Sequence, residues 1–143
     1  MTSTLPATVR PEDAAAVREA VKRITVTWQQ QDAEKFAEVY AEDATVVLPG
    51  VFLKGRAEIR DAMAEQFQGK WKGTQVLGQP LEMRYLGEGM LLLVSEGGAY
   101  PAGATEVSID HAIRGFWFFV KRDSQWLVHA YGNTPAQKTI PLP

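Results

Sequence analysis

Four side chains in the second half of this chain stand out as candidates to move protons: Glu96, His111, His129 and Tyr131. Histidine changes charge near neutral pH without help, and tyrosine can hold or donate a hydroxyl proton. Glu96 closes an apolar stretch, Met90–Glu96, beside Gly97-Gly98. Partial burial there would raise its carboxyl pKa and make it an acid. His111 follows Asp110 at the opening of a long β pattern, with Arg114 just beyond, and Tyr131 lies two residues after His129. His111, Glu96 and Tyr131 are therefore the acid–base candidates, with His111 first. Two histidines, no cysteine and no carboxylate at ligand spacing predict no metal site. The chemistry expected is cofactor-free.

Strand alternation sorts these groups onto faces. His111, Ile113, Gly115, Trp117 and Phe119 share one face, and Asp110, Ala112, Arg114, Phe116 and Phe118 share the other. Both are half apolar; we take the His111 and Trp117 face as the one toward a pocket. On the last strand, His129, Tyr131 and Asn133 fall together, opposite Val128, Ala130 and Gly132, and alternation leaves open which set points inward. Trp28, Phe36 and Tyr40 stand at helical spacing, which serves equally for core and for pocket wall. The ligand-binding candidates are thus Trp28, Phe36, Tyr40, Trp117, Phe119, His129 and Asn133. Asp43 reads as a turn residue and Arg56 as a first-turn residue pairing with an acid.

Helices and strands must position these groups. Pro11-Glu12-Asp13 reads as a helix start, because proline suits the first turn and acids suit the positive end of the helix dipole. Val17, Val21, Ile24 and Trp28 then mark one helical face. Asp32 is a plausible N-cap for a short second helix burying Phe36, Val39 and Tyr40. Ala44–Leu48 and Val51–Lys54 form a hairpin about Pro49-Gly50, and Arg56–Phe67 is helical through Ile59, Met63 and Phe67. The remainder alternates as strands: Gln75–Leu86, interrupted by Pro80 and so at an edge or bulged; Met90–Glu96; an unbroken Glu106–Lys121; and Gln125–Asn133. Gly97-Gly98 and Pro101 to Gly103 read as a loop. Helices followed by antiparallel strands give an α+β fold, with helices packed on a curved sheet that encloses a cone. The open end of such a cone is a natural small-molecule site.

The chain has 143 residues, one domain's worth, with a net charge of −2 and no basic stripe, which excludes a nucleic-acid surface. The absence of cysteine removes disulfides and thiol nucleophiles and fits the cytoplasm. No apolar run reaches the ~20 residues of a membrane span, and Met1–Arg10 lacks the apolar centre of a signal peptide. The expected organisation is a flexible N-terminus over 1–10, a domain over 11–134 and a C-terminal tail over 135–143. The Phe116–Val120 run carries more apolar surface than a free face should, which predicts a homodimer through the sheet.

Trp28 to Asp32, Tyr40–Val46, Gly55-Arg56-Ala57-Glu58-Ile59 and Gln125-Trp126-Leu127 leading to Asn133-Thr134 resemble the NTF2-like cone superfamily, and within it the SnoaL-like group. The likeness runs from about residue 12 to 134. Ser95-Glu96-Gly97-Gly98, the loop to Gly103 and Ala130-Tyr131-Gly132-Asn133-Thr134 look like the small SgcJ/EcaC-type proteins, some from enediyne antibiotic clusters. This resemblance implies a cone of three N-terminal helices on a mostly antiparallel sheet. It implies a pocket for an apolar polyketide-type molecule, an enediyne or polyene intermediate, and cofactor-free cyclisation or isomerisation there. A non-catalytic carrier with the same cone is the alternative. The superfamily's steroid-isomerase mechanism needs a carboxylate where this chain has Leu48, a tyrosine near Ile24 and an acid near Gly115 to Trp117. None is present, so that mechanism is set aside.

Overall fold

A computed structural model describes residues 8–143. Helix α1 (Pro11–Gln29) begins with proline in its first turn and Glu12 and Asp13 beside the free N–H groups, as the sequence requires. Asp32 caps α2 (Ala33–Ala37) by accepting a 3.0 Å bond from the Lys35 amide. Strands β1 (Tyr40–Leu48) and β2 (Val51–Lys54) form the hairpin, and Gly55, at φ 91°, turns the chain into α3 (Arg56–Gln68). Strands β3 (Thr74–Gly87), β4 (Met90–Pro101), β6 (Ala112–Arg122) and β7 (Gln125–Pro135) complete a six-stranded sheet in the order β2-β1-β7-β6-β4-β3. The short strand between β4 and β6, β5 (Glu106–Val107), pairs with β8 (Ile140–Pro141) in a second small sheet.

The fold is α+β with a curved mixed sheet and three helices, but the helices are not all N-terminal to the sheet: α3 follows the β1–β2 hairpin. The sheet is antiparallel except where β1 lies parallel to β7. Gly97 and Gly98 lie inside β4 rather than in a loop. The expected continuous strand over 106–121 is broken, because the amides of His111 and Ala112 both bond back to the Ser108 carbonyl and form a turn. Pro80 sits on the edge strand β3, at its register shift against β4.

The segment expected as a C-terminal tail folds back onto the domain. Ile140 is buried with Val107, Ala112 and Ala136, with Leu77, Tyr100 and Leu142 packed around them. The expected flexible segment 1–10 falls, through residue 7, outside the described residues; Val9 packs on the main core and the Arg10 amide bonds the Tyr85 hydroxyl at 3.0 Å.

The main core lies between α1, α2, α3 and the inner face of the sheet, and includes Val17, Ile24, Phe36, Ile59, Leu91, Leu93, Phe119 and Val128. One charged group is buried at its edge. The Asp13 carboxylate, 7% exposed, accepts from the Tyr85 hydroxyl at 2.6 Å and the Trp126 indole at 3.2 Å, with Arg10 3.4 Å away. The Tyr85 bond leads in holding its pKa below the usual carboxylate value, against the cost of burial. This carboxylate joins the start of α1 to β3 and β7.

Candidate functional site

A narrow apolar cleft opens between α1 and the inner sheet face; the empty space around it comes to about 510 Å³ with the open solvent at its mouth included. The helices supply Ile24, Trp28 and Phe36, and the strands supply Tyr40, Val76, Leu77, Ser95, Ile113, Trp117 and Tyr131. Helical spacing along α1 delivers Ile24 and Trp28 to one side, and α2 adds Phe36 beside them. Trp28 meets Phe36 edge-on at 6.1 Å and Phe67 at 5.4 Å, which fixes its ring. Its indole nitrogen donates to Thr74 Oγ1 at 2.9 Å, and so ties α1 to the start of β3. The favoured face of β6 does point inward: Ile113 and Trp117 line the cleft, and Gly115 lies between them.

The alternation expected for β7 fails at one residue. Phe118 pairs with Ala130 but Phe119 pairs with Val128, so His129 is an extra residue, a β-bulge. Trp126 and Val128 point into the core before the bulge, and Tyr131 points into the cleft after it. His129 is turned instead toward Asp43, its Nδ1 3.8 Å from the carboxylate that Arg122 holds at 2.7 Å. It is not part of the wall.

Of the acid–base candidates, only Tyr131 reaches the cleft. His111 lies in the turn before β6, its ring edge-on to Trp71 at 5.2 Å and outside the lining. Trp71 in turn lies 6.0 Å from Trp28, so His111 touches the wall only through a second ring. Glu96 corrects the sequence expectation of a raised acid. It points to the opposite face of β4 from Ser95, where one carboxylate oxygen meets Lys138 at 3.0 Å and Arg114 at 3.1 Å. Lys138 first and Arg114 with it hold its pKa down, so it stays ionised. Arg56 bonds no acid; its Nε and Nη2 donate to the Tyr40 carbonyl at 2.9 and 2.6 Å.

Trp28, Phe36, Tyr40 and Trp117 therefore stand in the wall. Phe119 is stacked on Trp117 at 6.3 Å but is core. Asn133 stands behind Tyr131, its amide nitrogen donating to the tyrosine hydroxyl at 3.1 Å. Sequence reasoning missed Ser95, although it shares strand parity with the buried Leu91 and Leu93. The Trp117 indole donates to Ser95 Oγ at 2.8 Å. Burial pushes the Tyr131 hydroxyl up to about 12 and the Tyr40 hydroxyl further above its ordinary value, so both keep their protons at neutral pH. Among the described residues, no carboxylate, histidine or cation is part of the lining. Among the described residues, no three His, Cys, Asp or Glu side chains cluster as a metal site would need, and no helix is long and apolar enough to cross a membrane.

Solved structures share this architecture. A domain of unknown function with a cystatin-like fold from Nostoc punctiforme is 25% identical, with 89% of this chain and 79% of that one covered and a TM-score of 0.80. An NTF-2 like protein of unknown function from Shewanella oneidensis is 14% identical, with 85% and 98% covered and a TM-score of 0.71. The hexachlorocyclohexane dehydrochlorinase LinA-type3 from Novosphingobium barchaimii is 13% identical, with 92% and 90% covered and a TM-score of 0.73, a likeness of fold. No functionally curated protein matches the sequence. The SnoaL-like domain profile matches residues 9–131, and over that span the chain belongs to the SnoaL-like family of the NTF2-like superfamily.

Proposed function

We propose that this protein binds a largely apolar small molecule in the cone and holds it without transforming it. The observation that carries this is the composition of the wall: rings and aliphatic groups, four hydroxyl-bearing residues (Thr25, Tyr40, Ser95 and Tyr131), and, among the described residues that line it, no carboxylate or histidine. A proton-abstracting mechanism needs a base within reach of the substrate, and the carboxylates of Glu96 and Asp43 are both committed to cations elsewhere. The ligand we propose is polyketide-type, a conjugated polyene or enediyne intermediate. Its flat, apolar body suits Trp28, Phe36 and Trp117, and the SgcJ/EcaC likeness of Ser95–Gly98 and Ala130–Thr134 supports it.

Cofactor-free turnover, cyclisation or isomerisation, is a second reading. One observation favours it: the protonated Tyr131 hydroxyl in the wall is a proton donor of the kind an acid-catalysed step uses. A dehydrochlorinase has the same fold, which supports this reading. Incubation of the purified protein with polyene and aromatic polyketide intermediates, resolved by mass and chromatography, separates the two. A ligand recovered unchanged from the native protein supports the carrier; a new isomer or product peak overturns it.

The protein is also proposed to act as a homodimer through the outer sheet face. Register aligns Phe52, Val47, Gly132, Phe116 and Val94 in one row across five strands. Phe52 is 66%, Val47 53% and Phe116 50% exposed. A continuous apolar band of this kind is normally covered, and an isologous pair covers it on both copies at once.

A further inference from the structure

Resting on the cavity as a ligand site, we propose that Ser95 and Tyr131 form a paired hydroxyl donor that reads one neutral acceptor oxygen on the ligand, so that the cone selects an aromatic or conjugated carbonyl compound over the matching hydrocarbon or carboxylate. The geometry of the two hydroxyls sets their polarity. An indole N–H only donates, so Ser95 Oγ spends a lone pair on Trp117 at 2.8 Å. The Asn133 amide does the same to the Tyr131 oxygen at 3.1 Å. Each hydroxyl keeps its own hydrogen, and among the described residues neither hydrogen has an acceptor. Both side chains line the cleft, so the acceptor must come from what fills it.

The two hydroxyls converge above Gly115. A Cβ built there would lie 3.2 Å from the Tyr131 oxygen, 3.3 Å from Ser95 Oγ and 3.0 Å from the Tyr131 ring. Glycine at this position lets the Tyr131 ring and the Ser95 hydroxyl close onto the strand backbone, where a Cβ would be tight against both. Trp117 lies 4.3 Å from the Tyr131 ring, centroid to centroid, and so fixes the tyrosine while orienting the serine. A carboxylate is disfavoured because the lining holds no cation to offset its desolvation. A hydrocarbon leaves both hydroxyl hydrogens unpaired in an apolar site, which is the stronger source of discrimination.

The test uses three probes of one shape: 2-acetylnaphthalene, 2-ethylnaphthalene and 2-naphthoate, titrated into the full chain at pH 7. The ketone is expected to bind about tenfold more tightly than the hydrocarbon, with its carbonyl stretch shifted to lower frequency when bound, and the carboxylate more weakly than both. Ser95→Ala and Tyr131→Phe should each reduce the ketone's advantage severalfold, chiefly by raising hydrocarbon affinity as the unpaired hydroxyl is removed. Gly115→Ala, which presses a methyl against the Tyr131 ring and both hydroxyls, should displace the donors and reduce the carbonyl shift. Ketone and hydrocarbon binding equally to the unaltered protein, or tightest binding by the carboxylate, overturns the paired-donor assignment while leaving the cavity as a ligand site. Failure of all three probes to bind overturns both.

Discussion

Substitution of Asp13 tests how the cone is held together. Its carboxylate is the common acceptor for the Tyr85 hydroxyl and the Trp126 indole, on β3 and β7, and both rings are buried. In Asp13→Ala those two donors lose their partner inside the protein, and each unsatisfied buried group costs about 1–3 kcal/mol. The expected loss is about 3–5 kcal/mol, at the upper end for a single substitution. The exposed Arg10 partner adds little, since exposed ion pairs contribute about 0–1 kcal/mol. In a chain of this size the loss appears as a fall in Tm of roughly 10–15 °C. Asp13→Asn keeps one acceptor oxygen and should cost less, about 1–3 kcal/mol. Because the folded carboxyl is held below its ordinary value, its contribution is complete above the unfolded pKa of about 3.9 and disappears as pH falls through the lower folded value. Urea unfolding followed by tryptophan fluorescence at several pH values measures this directly. The gap between the unaltered protein and Asp13→Asn should be constant above about pH 5 and shrink in acid. A gap under about 1 kcal/mol at pH 7, or one independent of pH, would refute the anchoring role.

Other outcomes follow from where the remaining side chains stand. His111→Ala should change affinity for an apolar probe by no more than about twofold, since His111 reaches the wall only through Trp71; a tenfold loss in a fluorescence titration would put the histidine in the site. Glu96→Gln removes the negative charge shared by Arg114 and Lys138, and faster amide hydrogen exchange at Ile140 is expected, with the effect weakening at high salt. Phe116→Glu should convert a sedimenting dimer to monomer without loss of fold; a monomer before substitution contradicts the proposed interface.

Much of the cleft was legible because its parts obey simple periods. Alternation along β6 placed Ile113 and Trp117 on one wall, whereas Trp28, Phe36 and Tyr40, read at one helical spacing, come together from α1, α2 and the start of β1. What was hidden depended on events outside the period. One inserted residue at His129 reversed the parity of β7, and no local signal separates a bulged histidine from a paired one. The turn at Ser108 removed His111 from the strand whose face it seemed to share. Glu96 reads as a candidate acid until Lys138 is brought against it by a folded-back segment that appears, in sequence, as a proline-marked tail. Asp13 reads as a helix-start acid, and it is one, but its partners Tyr85 and Trp126 lie far along the chain.

The parallel pairing of β1 with β7 has a consequence for how the protein is made. Tyr40 finds its strand neighbour at Val128, and the cleft draws Trp28, Phe36 and Tyr40 from one end of the chain and Trp117 and Tyr131 from the other. During synthesis the first two helices and the first hairpin emerge long before the strand that must receive them. Their apolar faces stay uncovered until the last strand has left the ribosome, and such long-range closure is slow and open to aggregation. The cleft therefore cannot close before β7 has emerged. A chain interrupted before Val128 would have no site, and it would expose the surface that a chaperone recognises.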